Sequence, residues 1–160
     1  MSAVVSDTSP INYLIRVEKI DLLPQLFGEI LIPPAVLQEL QDAGAPLAVR
    51  EWAFKLPSWV RVLAPASVDR LLDLGPGESE AIALAKEIGN TLLLMDERKG
   101  RKAALEKGLR TAGTLNILEQ AASRGLLDFE QAVAELRATN FRVKDSVLTG
   151  FLARSRTHKN

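Results

Sequence analysis

An α/β domain on a largely parallel sheet is the fold class the sequence predicts, and three observations predict it. Short apolar runs that read as buried strands alternate with segments of helical periodicity along most of the chain. The 160 residues favour a single domain, large enough to bury a real core. Hydrophobic residues make up 47% and charged residues 25%, as in an ordinary globular chain. The expected architecture has four to five strands, about residues 1–125 as the core, and a helical C-terminus over 126–160.

Ala3–Ser6 reads as the first strand. Asp7-Thr8-Ser9-Pro10 follows as a helix start, with Ser9 as the cap and Pro10 at the first helical position. Ile11, Leu14 and Ile15 then keep helical spacing. A second helix is expected over Lys19–Leu26, closed by Gly28. Glu29–Ile32 reads as the second strand, and Pro33-Pro34 launches a helix with Val36, Leu37 and Leu40 on its apolar stripe and Glu39 beside it. Pro46–Leu56 forms a further helix, Val60–Leu63 a short strand, and Val68–Leu74 a linking helix.

Leu74-Gly75-Pro76-Gly77 is a turn signal that opens a helix over Glu78–Ile88, stopped by Gly89-Asn90. Thr91–Met95 is the clearest strand. A helix over Lys99–Glu106 follows, ended by Gly108, and Leu109–Ala112 reads as a short edge strand. Helices over Leu115–Ser123, Phe129–Ala138 and Lys144–Ala153 complete the chain. In the last of these, Leu148, Phe151 and Leu152 form an apolar strip suited to packing on the domain or to dimerisation.

Composition excludes several chemistries. There is no cysteine, so disulfides, zinc–thiolate sites and cysteine nucleophiles are out. The single histidine, His158, lies in the terminal tail, so a Ser–His relay has no base. The glycine-bearing turn before Glu78 lacks the Lys-Ser/Thr of a phosphate loop and the spacing of a dinucleotide fingerprint. No leader-like segment and no run of about 18 apolar residues occurs, which predicts a cytoplasmic protein with no membrane partner. Net charge is zero, so a nucleic-acid partner would need a local basic surface. Arg98, Lys99, Arg101, Lys102, Lys107 and Arg110 offer one, unless they are simply a solvated helix face; the basic tail from Arg154 to Lys159 reads the same two ways.

Four acids stand at element boundaries: Asp7, Glu39, Glu78 and Asp96. Each alone is explicable as a helix cap, a first-turn acid or a solvated side chain. Together they suggest more. Strand ends of a parallel sheet point to one edge, and ligands bind beyond the carboxyl ends of such strands. Carboxylates gathered there raise one another's pKa, so keeping them ionised calls for a cation. Oxygen-only ligation selects Mg2+ or Mn2+. Such a site suits phosphodiester hydrolysis by a metal-activated water.

Asp7-Thr8-Ser9 after the first strand, Glu39 within Val36-Leu37-Gln38-Glu39-Leu40, and Met95-Asp96 after the late strand resemble the PIN-domain nucleases. The stretch Leu74-Gly75-Pro76-Gly77-Glu78-Ser79-Glu80-Ala81-Ile82, Arg101 and the pair Gly113-Thr114 are similar to the VapC-like toxin branch. The resemblance runs from Val4 to about Gly125. It implies a PIN-like three-layer α/β/α sandwich and a Mg2+- or Mn2+-dependent endoribonuclease acting on RNA. It also implies a toxin that forms homodimers and is restrained by an antitoxin protein.

By the same resemblance, Asp7, Glu39, Glu78 and Asp96 are the catalytic acids. Asp7, Asp96 and Glu78 would bind the metal directly and Glu39 through water. Thr8 or Ser9 would orient water or a phosphate oxygen, with Arg101 and Thr114 in support. The third acid is Glu where the family usually has Asp, and Glu80 is its fallback. Residues at i and i+2 point about 200° apart on a helix, so only one of the two can face the site. The competing reading is a degenerate PIN module that holds RNA or a protein partner without cutting. Phosphatase chemistry with an Asp nucleophile, as in haloacid dehalogenase-like enzymes, ranks lower, because the second Asp expected two residues after Asp7 is Ser9.

Overall fold

The computed structural model describes residues 2–69 and 73–158. Five strands form one parallel sheet in the order β3-β2-β1-β4-β5: β1 (Ala3–Ser6), β2 (Ile30–Ile32), β3 (Val60–Val62), β4 (Thr91–Leu94) and β5 (Arg110–Ala112). The helices are α1 (Thr8–Arg16), α2 (Leu22–Phe27), α3 (Pro34–Gln41), α4 (Leu47–Phe54), α5 (Pro76–Ile88), α6 (Arg98–Glu106), α7 (Thr114–Ser123), α8 (Phe129–Arg137) and α9 (Asp145–His158). They lie on both sides of the sheet, and α7, α8 and α9 make the helical C-terminus.

Successive strand side chains point to opposite faces, and the core divides accordingly. Val4, Ile30, Ile32 and Leu94 face the layer that contains α1, α2, α3, α7, α8 and α9. Val5, Leu31 and Leu93 face α5 and Ala104 of α6. Both faces of the sheet are therefore covered, which is why the strands read as continuous apolar runs rather than as alternating ones.

The strand order reverses at β1. The chain runs from β1 outward to β2 and β3, then returns through α5 to place β4 on the other side of β1, paired in register from Ala3↔Thr91 to Ser6↔Leu94. A crevice opens at such a reversal, beyond the carboxyl ends of the two strands. Asp7 immediately follows β1, and its backbone amide donates to Leu94 O at 2.9 Å. Asp96 lies just beyond β4.

Several expected boundaries move. Asp7 itself holds the extended cap position of α1 (φ −78°, ψ 175°), with Ser9 and Pro10 inside the first turn. Pro is tolerated there because the first amides of a helix have no intrahelical acceptor. The second helix begins at Leu22 rather than Lys19, since Glu18 takes a left-handed conformation (φ 59°) and a turn intervenes. The linking helix expected over Val68–Leu74 falls partly on residues 70–72, outside the described residues; Val68, Asp69, Asp73 and Leu74 are not helical. Helix α9 continues to His158, and Leu148 and Phe151 are buried in the core. Gly89, where α5 stops, has φ 72°, a conformation that favours glycine. No helix among the described residues is long and apolar enough to cross a membrane.

Candidate active site

A cleft of about 1130 Å³ lies over the crevice between β1 and β4. Asp7, Glu39, Glu78, Asp96 and Glu97 line it, with Thr8 and Ser9. The structure thus brings together the four acids singled out in the sequence and adds a fifth. Glu80 is not among the lining residues. Its Oε1 accepts the backbone N–H of Ala35 at 3.0 Å, so it serves the N-terminus of α3 instead.

The first turn of α1 organises the cluster. Thr8 Oγ1 donates to Glu39 Oε1 at 3.1 Å, and Ser9 Oγ donates to Asp96 Oδ2 at 2.7 Å. These hydroxyls are committed to carboxylates, so they position acids rather than stand free to orient water or phosphate. Asp96 is held further by Thr114, whose N–H donates to Oδ1 at 2.6 Å and whose Oγ1 donates to Oδ2 at 2.8 Å. Thr114 is the first residue of α7 and fully buried, which makes this arrangement stiff. Arg101 lines the cleft from α6, and its Nε donates to Thr111 Oγ1 at 3.3 Å.

Three glycines make room for three acids. A Cβ on Gly77 would run into the Glu39 carboxylate, reaching its Oε1 at 2.8 Å, and the Gly77 amide hydrogen-bonds that same carboxylate. On Gly100 a Cβ would meet Glu78 Oε2 at 2.8 Å and Met95 Sδ at 2.6 Å. On Gly113 it would meet Asp96 Oδ1 at 2.8 Å. Such separations are far inside van der Waals contact, so alanine at these positions would displace the acid.

Burial and mutual repulsion shape the electrostatics. Asp7 is only 4% exposed. Desolvation pushes its carboxyl up to about 7, against the backbone N–H of Thr8, and the charges of Glu39, Asp96 and Glu97 push the same way. Glu78 is pushed up to about 8, first by desolvation, then by a hydrogen bond shared with Glu97 and the charges of Asp7, Glu97 and Glu39. Burial raises Glu39 too, although Thr8 and Gly77 hydrogen-bond it and oppose the rise.

Glu97 follows Asp96 directly, and in sequence it reads as an acid that points elsewhere or caps the next helix. It occupies the cap position of α6 but makes no side-chain cap hydrogen bond, and it pairs with Glu78 inside the cleft. Nothing in its sequence setting separates it from an ordinary N-cap acid. The direct adjacency to Asp96 was the one available signal.

Two buried carboxylate oxygens have no hydrogen-bond partner among the described residues: Asp7 Oδ1 and Glu78 Oε2. Orphaned buried oxygens are rare in native proteins and call for a specific account. A hard divalent cation fits the donor set, which is entirely carboxylate and hydroxyl oxygen. No group of three acids among the described residues is already gathered as a ligand set. The unpartnered oxygens belong to Asp7 and Glu78, whereas both Asp96 oxygens already accept hydrogen bonds. Glu78 therefore stands beside Asp7 as the readiest donor, ahead of Asp96.

The structure thus places a carboxylate-lined crevice where the order of a five-stranded parallel sheet reverses. The family model DUF3368, described as a PIN domain, matches residues 3–157, and the chain belongs to that family. PIN domains are generally nucleases, which makes a nuclease-type function the broad expectation for this chain. Among solved structures, a PilT N-terminus domain protein from the hyperthermophilic archaeon Sulfolobus solfataricus P2 is similar at 18% identity, covering 90% of this chain and 100% of that one with a TM-score of 0.48. No curated protein matches the chain.

Proposed function

We propose that this PIN domain is a divalent-metal-dependent endoribonuclease that hydrolyses RNA phosphodiesters, with Mg2+ or Mn2+ as its cofactor. The observation that carries the reading is the pair of buried, unpartnered oxygens on Asp7 and Glu78 at the strand-order reversal. Bound there, the cation would supply Lewis-acid stabilisation of the phosphate and a water acidified enough to act as nucleophile near neutral pH.

The protein's own residues have separable tasks in this reading. Asp7 and Glu78 would hold the cation, Asp96 would complete the set, and Glu39 would act from the rim through water. Ser9 and Thr114 fix the Asp96 carboxylate, Thr8 fixes Glu39, and Glu97 sets the protonation and orientation of Glu78. Arg101, which lines the cleft, would face the phosphate. The role of toxin, with a homodimer and an antitoxin protein as partners in the cytoplasm, is the extension that the VapC-like motifs support.

The competing reading is a binding module that does not cut. It has one observation on its side, the absence of three pre-gathered acids among the described residues. Titration with Mn2+ followed by calorimetry, together with cleavage of a labelled single-stranded RNA, decides between the two. Metal-dependent cleavage that is lost in Asp7→Asn supports the nuclease. RNA binding with neither metal binding nor cleavage would leave the module reading in its place.

A further inference from the structure

The cleft has two walls from opposite faces of the sheet. One is α6, whose Arg98, Arg101, Lys102 and Leu105 share the face turned to the cleft. Lys99 and Lys107, off that face, pair instead with Asp73 at 2.7 Å and Asp69 at 3.4 Å. The other wall is the segment 138–144 between α8 and α9, which contributes Arg142 and Lys144. Neither Arg142 nor Lys144 forms an ion pair with a described residue, and the same holds for Arg98 and Lys102. These exposed cations therefore face a cleft floored by acids without being neutralised by them.

The second wall is fastened rather than loose. Tyr13 Oη and Arg16 Nη1 both donate to Asn140 Oδ1, at 3.2 and 2.5 Å, and Phe141 packs edge-on against Tyr13 with ring centroids 5.0 Å apart. Tyr13 and Arg16 belong to α1, the helix whose first turn carries Thr8 and Ser9 and whose cap is Asp7. One helix thus sets both the acids and the position of Arg142 and Lys144 relative to them.

We infer that Arg142 and Lys144 form a phosphate-holding wall of the cleft, opposite Arg98 and Lys102, so that an RNA strand is gripped on both flanks of the acids. The inference rests on the nuclease reading and assigns the α8–α9 segment a part in substrate binding. Phosphates suit the site because guanidinium and ammonium groups left unpaired at a cleft rim recognise repeated anions along a backbone. The acidic floor repels a negatively charged strand unless rim cations flank it. An acidic peptide would meet the same floor, and its charges recur only as its sequence dictates, whereas a nucleic-acid strand carries one on every nucleotide.

The test is binding of a mixed-sequence single-stranded oligoribonucleotide to the full chain in EDTA across a salt series, with cleavage then measured in Mn2+. The double substitution Arg142→Gln with Lys144→Gln removes two exposed charges. It is expected to weaken binding about tenfold or more and to flatten the slope of log K against log salt by about 1.4. KM should rise while kcat stays within about twofold. A control with the same charge change remote from the cleft, Lys55→Gln with Arg61→Gln, should leave both slope and KM unchanged.

Equal weakening in the control, or no weakening in the cleft variant, overturns the wall. So does displacement of the RNA by a poly-glutamate of equal length at equal concentration. Wild-type cleavage with unchanged behaviour of the cleft variant would overturn the wall and leave the nuclease intact. Binding that depends on Arg142 and Lys144 without any cleavage would keep the wall and remove the nuclease reading.

Discussion

Asp7→Asn should make the metal-free protein more stable at pH 8, although it removes a residue central to the proposed chemistry. The carboxyl is raised from its ordinary 3.8 to about 7, mainly by burial. A raised acid binds its proton more tightly in the folded chain than in the unfolded one. This carboxyl's contribution to stability is thus largest below about pH 4, falls as pH rises from about 4 to 7, and stays lost above that. At about 1.4 kcal/mol per tenfold change in proton affinity, the full span corresponds to about 4 kcal/mol. Asparagine keeps the volume without the charge, and its amide oxygen can still accept the Thr8 backbone N–H. Relaxation of the neighbours reduces the gain to about 1–3 kcal/mol at pH 8, with little difference at pH 4. The assay is urea denaturation in EDTA at pH 4, 6 and 8 on both proteins. A gain from Asp7→Asn that is no larger at pH 8 than at pH 4, or an Asn variant less stable at pH 8, would refute the reasoning. Mn2+ should stabilise the wild type at pH 8 by linkage and leave the Asn variant nearly unmoved.

Other outcomes follow from the same geometry. Thr114→Val removes one of the donors that hold Asp96 and should weaken Mn2+ binding about 10- to 100-fold, read by calorimetry, with the helical signal retained. Glu78→Gln should lower cleavage at least about 100-fold. Glu80→Gln should leave cleavage unchanged and cost about 1 kcal/mol of stability through the N-terminus of α3. Gly100→Ala should displace Glu78 and Met95, costing about 1–3 kcal/mol in thermal unfolding along with activity.

Asp7 and Asp96 were legible because an acid directly beyond an apolar strand has no cheap place in a core, and two parallel strands bring such acids to one edge. That β1 and β4 are neighbours was not legible, because strand order depends on long-range packing that periodicity does not encode. The direction of the Thr8 and Ser9 hydroxyls was hidden for the same reason. Their acceptors lie 31 and 87 residues away along the chain. Glu97 looked like a cap since it does hold a cap position, and only the approach of α5 turns it toward Glu78. Gly100 carries a signal of its own. A glycine inside a helix of good formers costs roughly 1 kcal/mol against alanine, so its presence asks for a spatial reason.

That spatial reason extends beyond Gly100. Gly77 and Gly100 sit in the first turns of α5 and α6, and Gly113 caps α7. Each acid therefore rests against the N-terminus of another helix: Glu39 on α5, Glu78 on α6 and Asp96 on α7. The absence of a Cβ lets the positive end of the helix come within reach of the carboxylate. Each such contact contributes about 0.3–1 kcal/mol, so the three together offset about 1–3 kcal/mol of the cost of burying and gathering the acids. That is less than the roughly 4 kcal/mol that the raised Asp7 alone represents. Helix ends therefore explain how the acids can be assembled, but they do not balance the cluster. The deficit falls on Asp7 and Glu78, the two residues whose oxygens lack partners, and that is where a cation would contribute most.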